Sequence, residues 1–446
     1  MIPGWNMVLR NLSLAAITIA FIALPFSVRI CHAGLIFFIF LWILEGKWHE
    51  KLSVVRSSIL LRCILFFALI QVVGILYTEN KAEGWFTLEK KIFFFLVPVA
   101  IATTKFKWNE KEIRTVFYCF VTACLAGVVF CLFQAGLETH LHIQSGVLSE
   151  KITYLNNSYF RDFHPETPVT WLFFSYVGLA KGIDLHPSYF SLYLVFCVVF
   201  LLHEILTDKT DGLHAKGNVF LIFLFTLFII LLSTRIMVIS LILIYTLIAG
   251  YYLMRKKEKV TFVLAALLTI MAFMIYLNPV SRYRNFQEVT RSSFPIKEKT
   301  LYKTSAEIHV ALWWLGWKSY LKSNPIMGSG TGDVKEMMQK TTEQYAVTNV
   351  LGSYDPHNQY LHTLISHGLL GLVILVSCLL FPILRAWYVQ DYLFIALTLL
   401  VVILCFTESA LEKQKGIVFF ALSYSLLAFQ RQSFQVERPR LNFFRA

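Results

Sequence analysis

The chain has 446 residues, of which 57% are hydrophobic and 15% are charged. Because soluble domains carry about a quarter charged residues, this composition excludes a water-soluble fold around one apolar core and is typical of a polytopic membrane protein. The formal net charge of +13 does not indicate nucleic acid as a partner, because Lys and Arg lie in short loops between apolar runs, as membrane topology requires.

The sequence predicts an all-α fold with about twelve transmembrane helices, which we expect to form a single transmembrane domain over residues 1–446 in the lipid bilayer. In chain order the apolar segments are Leu12–Phe26, Ile30–Leu44, Ser58–Tyr77, Ile92–Thr104, Val116–Ala135, Pro187–Leu206, Val219–Leu232, Ile236–Met254, Val260–Leu277, Asn358–Leu384, Tyr392–Phe406 and Ile417–Phe429. The 8 cysteines show no metal-ligand spacing, and we interpret them as small buried hydrophobic side chains.

The basic loops predict the orientation of these helices. With both termini inside, RKKEK and the basic tail face the cytoplasm, in agreement with the positive-inside rule. Two long segments, 136–186 and 278–356, then lie outside. Because long loops on a rigid scaffold often carry function, we expect the functional residues in these segments and at the neighbouring helix ends.

Arg235 lies in LLSTRIMVISLILIY, between two apolar runs and without a neighbouring charge. An Arg that faced lipid there would cost roughly 3 kcal/mol or more. One interpretation is an Arg at a tight outside turn that snorkels to the headgroups. The other, which we favour, is an Arg aimed inward at an anion, because its planar and always charged fork suits phosphate.

The stretch HVALWWLGWKSYLKSNPIMGSGTGD, from His309 to Asp333, predicts a helix followed by a glycine-rich turn. The tryptophans at its centre suit an amphipathic helix at the membrane interface, and Asn324-Pro325 ends it. The turn lacks the Lys-Ser/Thr pair of a phosphate-binding loop. A plain surface helix and turn is therefore the competing interpretation.

A predicted membrane helix begins with unusual polarity in YDPHNQYLHTLISHGLLGLVILV, from Tyr354 to Val376. His357 lies at the helix mouth, where Asp355 or Asn358 could orient its ring, and a His there can take a proton near neutral pH. The competing interpretation is an interfacial His that caps a helix. We expect His362 and His367 to be packing or hydrogen-bonded core groups, and Gly368 and Gly371 to be close-packing positions between helices.

Two further helix mouths carry polar groups. DLHPSYFSLYL places His186 and Tyr189 at one, and FTESALEKQKG places Glu408, Glu412 and Gln414 at another. On the assigned topology both face the same side as Arg235 and His357. A single polar helix end of this kind is common at the membrane–water interface. Four such helix ends on one face of the membrane predict a shared cavity.

Together these segments resemble the O-antigen ligase and O-antigen polymerase superfamily of bacterial envelope glycosyltransferases. The resemblance is carried by LLSTRIMVIS with Arg235, by the Trp-rich helix with NPIMGSGTGD, and by HNQYLHTLISHG, in which ten residues separate His357 from Gly368. HPSYFSLYL and TESALEKQKG look like signatures of a subgroup. The resemblance is best over 221–372, which we take as the catalytic region.

The resemblance implies a glycan donor on undecaprenyl diphosphate, at the periplasmic face of the bacterial inner membrane. A ligase moves the glycan to a sugar hydroxyl of lipid A core, and a polymerase moves it to another lipid-linked repeat. The resemblance also implies inversion at the anomeric centre without a metal or cofactor. Arg235 would hold the charge of the leaving diphosphate, and His357 would accept the proton of the acceptor hydroxyl, or orient that hydroxyl or the diphosphate.

The chain departs from the family pattern at one position. Relatives usually carry a second Arg about four residues before the Trp of the interfacial helix, where this chain reads EIHVALWW with His309. Either His309 substitutes for it, or an arginine from earlier in the loop reaches in. The candidates are Arg282, Arg284 and Arg291.

We expect a ligase ahead of a polymerase. The two share residues of the Arg235 and His357 type, and the identity of the acceptor decides between them. A further hypothesis is that Arg161, His164 and Trp171 of the first outside segment help to shape the acceptor side. The rival from another class is a lipid or polysaccharide transporter, which would need polar groups at the bilayer midplane and mirrored halves. A structural membrane anchor for an assembly machine is the third interpretation.

Overall fold

The computed structural model confirms the all-α fold class. It describes residues 5–145, 168, 170–207, 209, 212–256, 258–292, 304–345, 347 and 355–431. Within these ranges the chain is built from helices and short turns and contains no β-strand, apart from one isolated bridge between Asn324 and Gly328.

Eight helices in the described ranges are long and apolar enough to cross a membrane, which confirms a polytopic membrane protein. They are Trp5–Ala23, Ile59–Tyr77, Glu110–Gln144, Pro187–Leu206, Gly212–Leu232, Arg235–Met254, Glu258–Leu277 and Gln359–Tyr388. Val28–Leu44 and Trp48–Ser57 make a ninth span if the pair, bent by 112°, counts as one.

The part of the chain that the structure describes thus contains eight or nine long spans, against about twelve predicted from the sequence. Gln414–Ser425 continues directly into the π-helix Leu426–Arg431, whereas two other predicted spans form short helices of 12 and 13 residues, at Ile92–Thr103 and Tyr392–Leu404. At 1.5 Å per residue each is about 18–20 Å long, whereas the hydrocarbon core is about 30 Å thick. The apolar runs predicted there are themselves short, Ile92–Thr104 and Tyr392–Phe406.

The chain divides into two compact units, of which unit 1 comprises 1–120, 316–338 and 358–446. Its helices are Trp5–Ala23, Val28–Leu44, Trp48–Ser57, Ile59–Tyr77, Lys81–Lys90, Ile92–Thr103, Gln359–Tyr388, Tyr392–Leu404 and Gln414–Ser425. A short 3₁₀ turn, Ala410–Glu412, precedes the last of these helices. The core of unit 1 includes Phe21, which packs edge-on against Phe117 and Phe120 with ring centroids 5.8 and 5.4 Å apart.

The helix Gln359–Tyr388 of unit 1, here called the kinked helix, is interrupted at Gly368. Gly368 has φ 59° and ψ −158°, a conformation open essentially to glycine alone. A Cβ at this position would lie 2.4 Å from the backbone of Ile326. The kinked helix therefore consists of two half-helices, and the first of them, residues 359–367, follows His357 and Asn358.

The glycine-rich turn completes the hydrogen bonding at this break. Ser329 N–H donates to Ile365 O at 2.8 Å, and Gly330 N–H donates to Ser366 O at 2.9 Å. In the opposite direction, Leu369 N–H donates to Pro325 O at 2.9 Å. These bonds satisfy backbone groups that a helix end leaves without partners. The segment NPIMGSGTGD therefore stabilises the interruption of the kinked helix at Gly368.

Unit 2 comprises 121–315 and 339–357. Its helices are Thr170–Phe173, Tyr176–Ala180, Pro187–Leu206, Gly212–Leu232, Arg235–Met254, Glu258–Leu277, Pro279–Arg282 and Glu288–Arg291. Three helices run from one unit into the other along the chain: Glu110–Ser145, Ser305–Lys322 and Val334–Gln344. Ser305–Lys322, here called the loop helix, agrees with the helix predicted before Asn324 and carries His309.

Candidate functional site

Arg235 is the first residue of its span, directly after a tight two-residue turn. Ser233 has a left-handed φ of 51°, and Thr234 is the extended cap residue. Both hydroxyls form hydrogen bonds within the protein. Ser233 Oγ donates to Ile230 O at 3.1 Å, and Thr234 Oγ1 donates to Ser191 Oγ at 2.8 Å. The turn is therefore fixed, and it sets the direction in which the Arg235 side chain leaves the helix.

The Arg235 guanidinium contacts protein groups that follow the span Glu258–Leu277. Its Nε donates to the backbone oxygen of Arg284 at 2.6 Å, and its Nη2 forms an ion pair with Glu288 Oε2. The Arg235 side chain is 22% exposed and that of Glu288 only 3%. Arg235 thus has the inward-facing contacts expected of an anion-binding residue, and its role in binding stays a prediction.

Glu288 is a residue that the sequence reasoning missed. Its Oε1 accepts hydrogen bonds from the backbone N–H groups of Ser305 and Ala306, the first two residues of the loop helix. A carboxylate at a helix N-terminus satisfies free N–H groups and complements the helix dipole. One buried carboxylate thereby joins Arg235 to the start of the helix that carries His309.

The start of the loop helix is also fixed by its own sequence. Thr304 Oγ1 accepts from Glu307 N–H at 3.1 Å, and Glu307 Oε2 accepts from Thr304 N–H at 3.0 Å. This is the reciprocal capping box that a Thr-x-x-Glu sequence predicts. It was the one readable signal for this helix start, whereas nothing in RNFQEVTR identifies Glu288.

Of the three candidate arginines in the second outside segment, Arg284 is the one that contacts the Arg235 turn. Its Nε donates to Ser233 O at 3.2 Å, and its guanidinium lies 3.6 Å from the centroid of the Tyr176 ring. Among the described residues, no carboxylate forms an ion pair with Arg284. Arg282 instead lies against Tyr276, with Nη1 3.4 Å from Tyr276 O, and the Arg291 side chain lies outside the described residues.

The structure brings His309 and His357 together. Their ring centroids are 5.3 Å apart at an interplanar angle of 73°. The backbone N–H of His357 donates to Asp355 Oδ1 at 2.9 Å, and Trp313 Nε1 donates to His357 O at 3.4 Å. His309 follows Ser305 by one helical turn, a rise of about 6 Å. Arg235 is thus connected to His357 in three steps: its ion pair with Glu288, the bonds from Glu288 to the start of the loop helix, and the contact of His309 on that helix with His357.

Three of the seven non-glycine residues with positive φ in the described part of the chain lie in the same cluster. Ser233, Tyr176 and His357 all have positive φ, at 51°, 51° and 45°. Such conformations cost a non-glycine residue about 1–3 kcal/mol and persist where the surrounding structure enforces them, often at functional sites. The strain therefore supports a functional interpretation of this cluster.

The other predicted site residues are divided between the two units. In unit 2, the exposed His186 caps the helix Pro187–Leu206 through Nδ1, and its ring centroid lies 6.5 Å from Tyr176 and 6.5 Å from Tyr189. His186 therefore lies next to the Tyr176 ring, which also contacts the Arg284 guanidinium. Tyr189 is buried. Trp171 is described on the helix Thr170–Phe173, whereas Arg161 and His164 lie outside the described residues.

In unit 1, Asn358 and Glu408 are largely buried. Asn358 Oδ1 accepts from Tyr360 N–H and Leu361 N–H, each at 3.0 Å, and its Nδ2 donates to Phe406 O at 3.1 Å. Asn358 is thus the N-cap of the kinked helix. The predicted cavity shared by all four mouths stays a prediction.

The cluster in unit 2 can bind an anion and handle a proton. The cluster contains two guanidinium groups, and Glu288 forms an ion pair with that of Arg235. Arg side chains offer bidentate donors to phosphate oxygens. The adjacent imidazoles of His309 and His357 can accept or donate a proton near neutral pH.

Comparison with known proteins gives a match over part of the chain. Residues 220–376 match a protein-family model described as O-antigen ligase, and this segment contains Arg235, Arg284, Glu288 and the two histidines. A search of curated proteins gives no match to the chain. The family match confirms the resemblance of the sequence to the O-antigen ligase superfamily.

Proposed function

We propose that the protein is a glycosyltransferase that moves a glycan from undecaprenyl diphosphate to a sugar hydroxyl of lipid A core. The proposal places the reaction at the periplasmic face of the inner membrane. The family match supports a ligase or polymerase acting on a lipid-linked glycan and an acceptor. The observation that carries the proposal is that Arg235 and Arg284 lie side by side at the start of the helix Arg235–Met254. Glu288 links Arg235 to the helix that carries His309.

The two arginines bind the diphosphate in this proposal. Negative charge builds on the phosphate oxygens as the bond from the anomeric carbon to the diphosphate breaks. Donors that are already oriented stabilise such developing charge, most strongly in a poorly hydrated site. Glu288 holds Arg235 in place. Arg284, which contacts the Arg235 turn through Ser233 O, fills the role of the second family Arg.

His357 takes the proton of the acceptor hydroxyl. As the hydroxyl oxygen forms its bond to the anomeric carbon, the proton passes to a neutral imidazole nitrogen. The ring of His309 lies 5.3 Å away at an interplanar angle of 73°, beside the group that takes the proton.

The glycan profile of the cell tests the proposal. The gene is deleted, and lipid A core and lipid-linked glycans are separated on a gel. Loss of long chains from lipid A core, with lipid-linked polymer retained, is the expected result. Single repeats only would assign the protein to the polymerases, and intact chains in every fraction would overturn both assignments.

Complementation of the deletion strain then tests the site. Arg255 ends the same helix that Arg235 begins and lies against Tyr251, so Arg255→Ala is the matched control for Arg235→Ala and Arg284→Ala. We expect the control to restore the long chains and the two site variants to leave them absent, at equal amounts of protein in the membrane. Restoration by Arg235→Ala would refute the role of this cluster.

A further inference from the structure

Unit 1 contains a buried polar network that the proposed reaction does not use. Lys91 Nζ lies 2.6 Å from Glu412 Oε1, and their side chains are only 3% and 7% exposed. Lys91 Nζ also donates to Gln71 Oε1 at 3.2 Å. Burying an ion pair costs so much desolvation that an apolar pair of similar volume is often equally stable. Stability alone therefore does not account for this pair.

The Glu412 carboxylate is where the network meets the kinked helix. Its Oε1 accepts from Gln359 Nε2 at 3.0 Å and lies 3.3 Å from His362 Nδ1. Burial alone would raise the pKa of Glu412, but His362, Lys91 and the hydrogen bonds from Lys91 and Gln359 lower that pKa to about 2. The carboxylate is therefore ionised and is a strong acceptor for the hydrogen bonds from Lys91 and Gln359.

The segment before Glu412 holds the first turn of the kinked helix as well. Gln359 N–H donates to Cys405 O, and Leu411 N–H donates to Gln359 Oε1, both at 2.8 Å. Tyr360 OH donates to Val402 O at 3.0 Å. The first turn is thus bound by backbone and side-chain groups from 402 to 412.

The half-helix 359–367 depends on these contacts for its orientation. It has only nine residues, and helices shorter than about 12 residues are marginal without external contacts. Its far end is held by the glycine-rich turn at the Gly368 break, and its near end is held by the 402–412 segment. Asn358, which caps it, is joined to His357 by a peptide bond.

We propose that Glu412 is a positioning residue, whose carboxylate orients the first turn of the kinked helix by accepting a hydrogen bond from Gln359 and by its contact with the His362 ring. The inference rests on the proposed function, because the orientation matters for transfer through His357. Lys91 keeps the carboxylate ionised and does not touch substrate. The needed property is therefore an acceptor oxygen at position 412.

Two double variants separate the acceptor from the ion pair. Lys91→Met/Glu412→Gln removes both charges and keeps an acceptor oxygen at 412, whereas Lys91→Met/Glu412→Met removes the acceptor too. The control is Glu45→Met/Lys51→Met, which removes another buried pair of unit 1, separated by 3.5 Å. Glycan transfer is measured at equal protein in membranes, and hydrogen exchange is measured on the amides of 359–367.

We expect Lys91→Met/Glu412→Gln and the control to transfer glycan within about threefold of the wild type. Lys91→Met/Glu412→Met is expected to lose at least about tenfold, because a misplacement of about 1 Å in a catalytic group can cost about a hundredfold. Its 359–367 amides should exchange faster than those of the other variants. Equal transfer and equal exchange in the two Glu412 double variants would overturn the proposal.

Gln359→Met tests the same link should Lys91→Met/Glu412→Met fail to fold, because it leaves the ion pair intact. It is expected to show the same loss of transfer and faster exchange, and unchanged exchange would refute the proposal. The exchange measurement does not depend on the chemistry. A protein that transfers no glycan yet shows the predicted exchange pattern would refute the proposed function and leave the positioning role of Glu412 supported.

Discussion

Arg235 and Glu288 form an ion pair in unit 2, and the same carboxylate accepts the first two N–H groups of the loop helix. The pair thereby couples the N-terminal end of the span Arg235–Met254 to the helix that carries His309. Removing Glu288 would leave a partly buried guanidinium and a helix start without their shared partner.

Glu288→Ala is therefore expected to destabilise the fold by about 2–4 kcal/mol, from the loss of a helix cap and of a largely buried charge partner. Glu288→Gln keeps acceptor oxygens and should cost about 1 kcal/mol. The thermal midpoint in detergent measures both. Glu343, exposed on the helix Val334–Gln344, supplies the control Glu343→Ala, and a Glu288→Ala midpoint equal to that control would contradict the coupling.

Arg284→Lys tests whether the planar guanidinium matters beyond its charge. Lys keeps the charge but loses the stacked plane over Tyr176 and the fork that suits diphosphate. We expect KM for the lipid-diphosphate donor to rise about tenfold with kcat changed less, since ground-state binding is weakened. Arg255→Lys should leave both constants unchanged, and identical kinetics for the two Lys variants would count against Arg284 as a donor-binding residue.

Gly368→Ala tests the helix break. The residue has φ 59°, and a Cβ there would meet the backbone of Ile326 at 2.4 Å, so we expect a loss of stability above about 3 kcal/mol. Gly250→Ala is the control, because no atom lies within 4 Å of a Cβ at that helical position and Ala there should stabilise by about 0.5–1 kcal/mol. Equal midpoints for the two variants would show that the break is not required.

The charge of Glu412 predicts a pH dependence. Its folded pKa, about 2, is lowered from the ordinary value of 4.5, so the ionised carboxylate stabilises the fold above the unfolded pKa, and that contribution is lost as pH falls toward 2. The difference in thermal midpoint between the wild type and Glu412→Gln should therefore shrink only below about pH 4.5. A difference that disappears already near neutral pH would contradict an ionised Glu412.

The elements that the sequence predicted well are those with a local signal. Apolar runs located the long spans, and the Trp-rich stretch after His309 located the loop helix. Arg235 was recognisable because a lone charge between apolar runs is costly in lipid. Each of these inferences needs only neighbouring residues.

The elements that it did not predict depend on partners far apart in the chain. Glu288 lies 53 residues from Arg235, and nothing in its own surroundings distinguishes it from a surface carboxylate. Gly368 was expected to be a packing position, but continuous hydropathy hides a left-handed residue whose neighbours bond to 325–330. Lys91 and Glu412 likewise become a pair only after folding.

The most direct test of the central claim is a transfer reaction with purified protein in lipid nanodiscs, given undecaprenyl-diphosphate-linked glycan and lipid A core. The account predicts product from the wild type and from Arg255→Ala, and rates at least about a hundredfold lower for Arg235→Ala and His357→Ala. Wild-type rates for Arg235→Ala, or no glycosylated lipid A core from the wild type, would contradict it.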